Sequence, residues 1–263
     1  MRTKLAVVVP SRTQTLQRDY LQNAVASIAT QSVIQNFEVD IFLALDPGAT
    51  LDITALESST LRLHLVHANA RSQAAALNAA LRRVAPGTAL VALLEDDDRW
   101  QPHYLEVASI AIASAGFVSS TQLEVTAQGE ILRINDFPTP SGWLMSFDTL
   151  QRVGEFDETY RFHLDNEWLG RLCEAQIARI HLTESTAPGN MAYVPLIRPW
   201  LANVVQYSGG MTRLIRHSSP YPLVQRLVHA NSGMSQIAND PVLKALSDQE
   251  VQRLHQRFGR TPW

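Results

Sequence analysis

Four consecutive acids, Glu95-Asp96-Asp97-Asp98, stand where an apolar run ends, with Trp100 and Pro102 just beyond. Like charges packed this closely repel one another, so they cost stability unless a cation or hydrogen-bond donors compensate. Hard carboxylate oxygens suit Mg²⁺ or Mn²⁺, which keep several waters and complete their shell from substrate phosphates. The same residues also fit a plain structural role. Asp98 could cap, and Pro102 could open, a helix through Tyr104, Leu105 and Ala108. Two further residues point toward a nucleotide. Asp46 can accept from a base imide or a ribose hydroxyl, and Arg71 offers a planar fork of donors. Neither G-x-G-x-x-G nor G-x-x-x-x-G-K-[ST] occurs, so no glycine loop cradles the phosphates and a metal would have to neutralise a diphosphate.

The elements around these residues read as an α/β opening. Residues 5–9, 39–45, 61–66 and 89–94 are apolar runs of buried-strand length, and 16–29 and 72–84 carry helical periodicity. Strand, helix, strand, strand, helix, strand implies a mostly parallel sheet flanked by helices, with ligands at the carboxyl ends of its strands. That rule selects Pro10-Ser11-Arg12, Asp46-Pro47-Gly48, 68–71 and the acidic run. Farther on, 123–125 and 130–134 flank Gln128-Gly129 as a hairpin, 136–142 is turn-rich, and Trp168, Leu169, Leu172, Cys173 and Ile177 mark a helix. A closing strand is expected at 177–182 and a loop at 185–190, followed by helical segments near 223–230 and 248–258.

Three segments then resemble, in order, the markers of family 2 glycosyltransferases of the GT-A fold. They are Val7-Val8-Val9-Pro10-Ser11-Arg12, the helix Ser72-Gln73-Ala74-Ala75-Ala76-Leu77-Asn78, and Leu94-Glu95-Asp96-Asp97-Asp98-Arg99-Trp100-Gln101-Pro102. A fourth follows at Gly154-Glu155-Phe156-Asp157-Glu158 and Leu164-Asp165-Asn166-Glu167-Trp168. The match spans residues 4–182. The resemblance implies an inverting transferase that moves a sugar from a UDP-, GDP- or dTDP-sugar to a hydroxyl of a glycan, lipid-linked or small-molecule acceptor. It puts Glu95-Asp96-Asp97 at the D-x-D motif, with Asp97 and Asp98 toward Mn²⁺ or Mg²⁺, and Asp165 at the catalytic base. Pro10, Ser11, Arg12, Asp46, Arg71, Asn78, Glu95 and Asp96 fall to the nucleotide, and Trp143 and Glu167 to the acceptor. Trp143 reads equally well as a core aromatic, and Asp165 as a helix cap.

The sequence departs from the pattern at several points. Glu95 is one methylene longer than the usual Asp, Ser72-Gln73 replaces Gly-Lys, and Leu164 replaces the first acid of an E-D pair. No Tyr-Arg-x-His segment follows the last helix, which leaves His217 in Arg216-His217-Ser218 as the stand-in for a late metal ligand. These departures keep a catalytically silent nucleotide-sugar-binding protein open as an alternative, with a sugar nucleotidyltransferase behind it.

The whole chain sets the outer bounds. It has 263 residues, 46% of them hydrophobic, with a net charge of −3 and one cysteine, which fits a globular protein with a full core. That balance argues against a duplex nucleic-acid binder, and the lone Cys173 suggests a reducing, cytoplasmic compartment. The expected organisation is a catalytic domain over 1–185, with a nucleotide half (1–100) and an acceptor half (101–185). A mostly helical extension over 186–263 follows. The charge is uneven: residues 1–190 sum to −8 and 191–263 to +5. A basic C-terminal segment of this kind suits an anionic acceptor or peripheral contact with the inner face of a membrane.

Overall fold

The computed structural model describes residues 2–11, 18–56, 60–185, 199–229 and 232–263. Its centre is an eight-stranded sheet. The first strand, β1 (Thr3–Ser11), lies between β2 (Phe37–Leu45) and β4 (Leu90–Leu93), with β3 (Leu61–His67) at the edge beyond β2. All of these pairings are parallel. Because side chains alternate along a strand, the uninterrupted run in β1 serves two cores at once. Leu5, Val7 and Val9 pack on one face with α1 (Arg18–Ala29) and α3 (Tyr104–Ile112), while Ala6 and Val8 face α2 (Gln73–Leu81) on the other.

On the far side of β4 the sheet continues through β9 (Trp143–Ser146), β6 (Phe117–Ser120), β10 (Arg179–Thr183) and β11 (Thr212–Arg216). β9 runs antiparallel to both of its neighbours, the one reversal in the described part of this sheet. Sequence periodicity does not predict this strand, since only four residues separate the turn at Pro140–Gly142 from α4 (Phe147–Val153). Gly142 lets the chain pass there: a Cβ would meet the backbone of Ser120 at 3.2 Å.

A second sheet has the order β5 (Arg99–Trp100), β12 (Val224–Leu227), β7 (Gln122–Val125), β8 (Ile131–Asn135). β7 and β8 form the expected hairpin. The segment near 223–230, expected to be helical, is instead the strand β12, antiparallel to β5 and parallel to β7. Leu223, Val224 and Leu227 suit either period, and long-range pairing decides between them. The C-terminal extension therefore places one strand in each sheet, around the helices α6 (Pro199–Tyr207), α7 (Gly233–Asn239) and α8 (Pro241–Phe258). The loop expected at 185–190 lies outside the described residues apart from Ser185. No helix among the described residues is long and apolar enough to cross a membrane.

Candidate active site

The acidic run bridges the two sheets. Leu94, just past β4, still donates its N–H to Val8 O, and β5 begins at Arg99, so Glu95 to Asp98 span the gap between them. One serine organises the bend: the Glu95 N–H donates to Ser141 Oγ (3.0 Å), and that hydroxyl donates to Asp98 Oδ2 (2.5 Å). The other Asp98 oxygen accepts from Leu227 N of β12 at 3.1 Å. Asp98 is buried and pins the second sheet to the first; the cap expected for α3 is not made, since His103 precedes that helix with no side-chain cap bond. Trp100 is core, its indole donating to Ser141 O at 2.7 Å.

Ligand atoms of Glu95, Asp97 and Asp98 lie within 4.8 Å of one another. Gln73, the first residue of α2, donates to Glu95 Oε1 (2.5 Å), and Ser11 at the end of β1 donates to Asp96 Oδ2 (2.7 Å). His229, two residues past β12, places Nε2 2.8 Å from Asp97 Oδ2, with its ring tilted against that of Tyr20. Burial, then the neighbouring Asp97, push the Glu95 carboxyl up to about 7. The same two causes raise Asp98 well above its ordinary value, with Glu95 adding to them. The bond to Asp97 raises the His229 imidazole against the opposing effect of burial. Crowded acids whose charged forms are disfavoured, beside an imidazole, fit a hard divalent ion such as Mn²⁺ or Mg²⁺. Glu95, Asp97 and Asp98 are the grouped carboxylates that could hold it, with His229 beside Asp97.

Asp165 is placed by α5 (Leu164–Glu174), in whose first turn it sits, half-buried, with Oδ1 accepting from Asn166 N at 2.8 Å. Burial raises its pKa, while His163, the helix-end amides and Arg226 oppose the rise. Its charge is felt at Glu95, so Asp165 and the acidic cluster influence one another. Arg226 is the cation common to both. Burial works against its charge, but Asp98, Glu95, Glu124 and Asp97 outweigh that and raise its pKa. Its Nη1 bonds Glu124 at 3.1 Å, and Glu124 is held in turn by Arg133 and Asn135.

Sequence reasoning missed His229 and Arg226. The signal available was Arg-x-x-His after an apolar pair, which a helical assignment of the segment obscured.

The remaining expected site residues divide. Pro10, Ser11, Glu95, Asp96 and Asp97 gather at the ends of β1 and β4, with Asp46 at the end of β2 and Arg71 exposed ahead of α2; Arg12 lies outside the described residues. Three others are structural as placed. Asn78 is buried and spends both ends of its amide on Phe156, donating to its O (2.9 Å) and accepting from its N (2.8 Å). Trp143 is fully enclosed, its indole bonded to Pro138 O and its ring 5.2 Å from Phe117 and 5.1 Å from Trp168, so no face is open to an acceptor. Glu167 is enclosed between Arg171 and Arg257.

His217 is not near the acids. It follows β11, four strands from β4, roughly 19 Å at the usual strand spacing. It is buried with no hydrogen-bond partner at either ring nitrogen among the described residues, and burial pushes its pKa down to about 4. The unfolded chain binds a proton here near pH 6.5 and the folded chain only near 4, so stability is lost as pH falls through that window, by about 2–3 kcal/mol. Denaturant titrations from pH 7 to 4 are expected to show this loss, and His217→Phe to remove most of it.

No family model matches the sequence, and no curated protein matches it significantly. Solved structures do match. S. aureus TarS superposes with a TM-score of 0.55 over 96% of this chain and 43% of its own, at 14% identity. TarS 1-349 in complex with UDP gives 0.54 over 93% and 65%, also at 14% identity. The fold is that of a GT-A glycosyltransferase. A mannosyltransferase from Pyrobaculum calidifontis, PcManGT, in complex with GDP-Man and Mn²⁺, shares the GT-A fold with a TM-score of 0.53 at 18% identity, over 80% of this chain and 65% of that one. The present chain thus spans less than two thirds of the length of each of these GT-A structures.

Proposed function

We propose that the chain is an inverting, metal-dependent glycosyltransferase that moves a sugar from a nucleoside-diphosphate sugar to an acceptor hydroxyl. The observation that carries this is the gathering of Glu95, Asp97 and Asp98, with His229 against Asp97, at the strand ends of a GT-A sheet. Neighbours of the same fold that hold UDP, or GDP-Man with Mn²⁺, support it. The donor is a UDP-, GDP- or dTDP-sugar, and the acceptor a glycan, a lipid-linked glycan or a small alcohol.

In the displacement, the acceptor oxygen bonds to the anomeric carbon as the bond from that carbon to the diphosphate breaks, and the diphosphate leaves with the electron pair. Asp165 takes the acceptor proton. A carboxylate lifted above its ordinary pKa by burial is a better base once ionised. A divalent ion held by the Glu95, Asp97 and Asp98 cluster, beside His229, would supply charge stabilisation for the departing diphosphate. Arg226 places a fixed positive charge beside the same cluster, and Ser11 and Gln73 hold the acids in register.

The test is a panel of UDP-, GDP- and dTDP-sugars with Mn²⁺ and mixed acceptors, with the anomeric configuration of any product read by NMR. At least one donor should turn over with inverted configuration. Retained configuration would remove the inverting assignment. Metal-dependent nucleotide binding without turnover of any donor would favour the catalytically silent alternative.

A further inference from the structure

The sequence suggests an outward role for the basic C-terminal segment, yet one face of its last helix is spent on the segment that carries Asp165. Ser247, Glu250, Arg253, Leu254, Arg257 and Phe258 recur at helical spacing along α8. Glu250 is fully buried and accepts three successive backbone amides: Arg161 N at 2.7 Å, Phe162 N at 2.9 Å and His163 N at 3.0 Å. These are the residues that lead into α5, whose Glu167 N–H donates back to His163 O. Successive amides turned to one point form an anion-binding nest, and here the chain's own carboxylate fills it.

The neighbouring contacts hold the same segment from both sides. Ser247 Oγ lies 2.8 Å from His163 Nε2, and the other ring nitrogen of His163 lies 3.1 Å from Asn166 Oδ1. Arg253 donates to Thr159 O at 3.0 Å and covers the Tyr160 ring at 4.2 Å. One turn on, Arg257 donates to the buried Glu167 at 2.6 Å. Phe258 presses so closely on α5 that a Cβ at Gly170 would stand 2.5 Å from its ring. A loop fixed only by its own turn would let Asp165 wander, and an error of an ångström in a reacting group can cost two orders of magnitude in rate.

We propose that α8 is a clamp on the base-bearing segment and that Glu250 is its central positioning residue, setting the entry to α5 and so the place of Asp165. The proposal rests on the glycosyltransferase reading for its kinetic consequence, but not for its structural one. It also gives the basic character of the C-terminal segment an internal use, since Arg253 and Arg257 act within the clamp.

The full chain is compared with Glu250→Gln, Glu250→Ala and, as a control on the same helix, Lys244→Ala, whose ion pair with Asp248 is exposed. In both Glu250 variants, amide hydrogen exchange at 161–163 should accelerate by about 10-fold or more, as expected for loss of charge-assisted bonds. With a turned-over donor, kcat should fall about 10-fold while the donor KM, and the calorimetric affinity for UDP or GDP with Mn²⁺, stay within about twofold. Lys244→Ala should change none of these. Unchanged exchange at 161–163 would overturn the clamp. Faster exchange with kcat intact would overturn its positioning role, as would a loss of nucleotide affinity in step with kcat, which marks a purely structural helix. Should the wild-type chain turn over no donor, the transferase reading fails on its own, and the exchange measurement still decides whether Glu250 holds the segment.

Discussion

Asp165→Asn is expected to lower kcat for sugar transfer by about 10²- to 10⁴-fold, the range for removing a general base, while leaving nucleoside-diphosphate affinity within about twofold. The substitution keeps size and the acceptor oxygen that Asn166 N bonds at the head of α5, so the helix start survives and only the proton acceptor is lost. In the wild type the acid limb of kcat should follow Asp165. Burial raises its pKa above the ordinary 3.8, so activity falls as pH drops through that raised value, and the limb should vanish from the residual activity of the Asn variant. Single-turnover rates across pH, beside calorimetry with the nucleotide, separate the two effects. A variant with normal kcat would remove Asp165 from the chemistry.

Asp97→Ala is expected to act on the other half of the site. Asp97 is the carboxylate joined to His229 at 2.8 Å, whereas Asp98, buried in the same cluster, is also tied to Ser141 and Leu227. Turnover should fall by at least about 100-fold, and the Mn²⁺-dependent part of nucleotide affinity should disappear. His229→Ala should weaken Mn²⁺ binding in the same direction. The two sites of substitution thus predict opposite patterns: rate without affinity at Asp165, affinity together with rate at Asp97. Equal nucleotide binding by Asp97→Ala and wild type, with and without Mn²⁺, would contradict the metal assignment.

Much of this site is legible in the sequence because local patterns encode it. The run in β1 must be buried on both faces, the acids at the end of β4 cannot sit together in an apolar core unaided, and Asp165 precedes a periodic helix. What is not legible depends on partners far along the chain. A four-residue strand such as β9 carries no period of its own, and β12 is a strand because β5 and β7 flank it. Polar residue types announce that a partner is needed without naming it. Asn78 could serve a nucleotide but instead locks Phe156, and Glu167 could serve an acceptor but instead neutralises Arg171 and Arg257. The net charge behaves in the same way. The excess of arginines after residue 190 suggests a basic surface, yet Arg226, Arg253 and Arg257 are engaged by Glu124, Thr159 and Glu167. His229 is the clearest case: only the path of β12 brings it opposite Asp97.

The central claim, one site that joins metal, donor diphosphate and base, is tested most directly by anomalous diffraction at the manganese edge. Crystals would be grown with Mn²⁺ and UDP or GDP. The account predicts an ion at the Glu95, Asp97 and Asp98 cluster beside His229, with the diphosphate completing its shell and Asp165 facing the same site. An ion held elsewhere, or a nucleotide bound with no metal between its phosphates and Asp97, would contradict it.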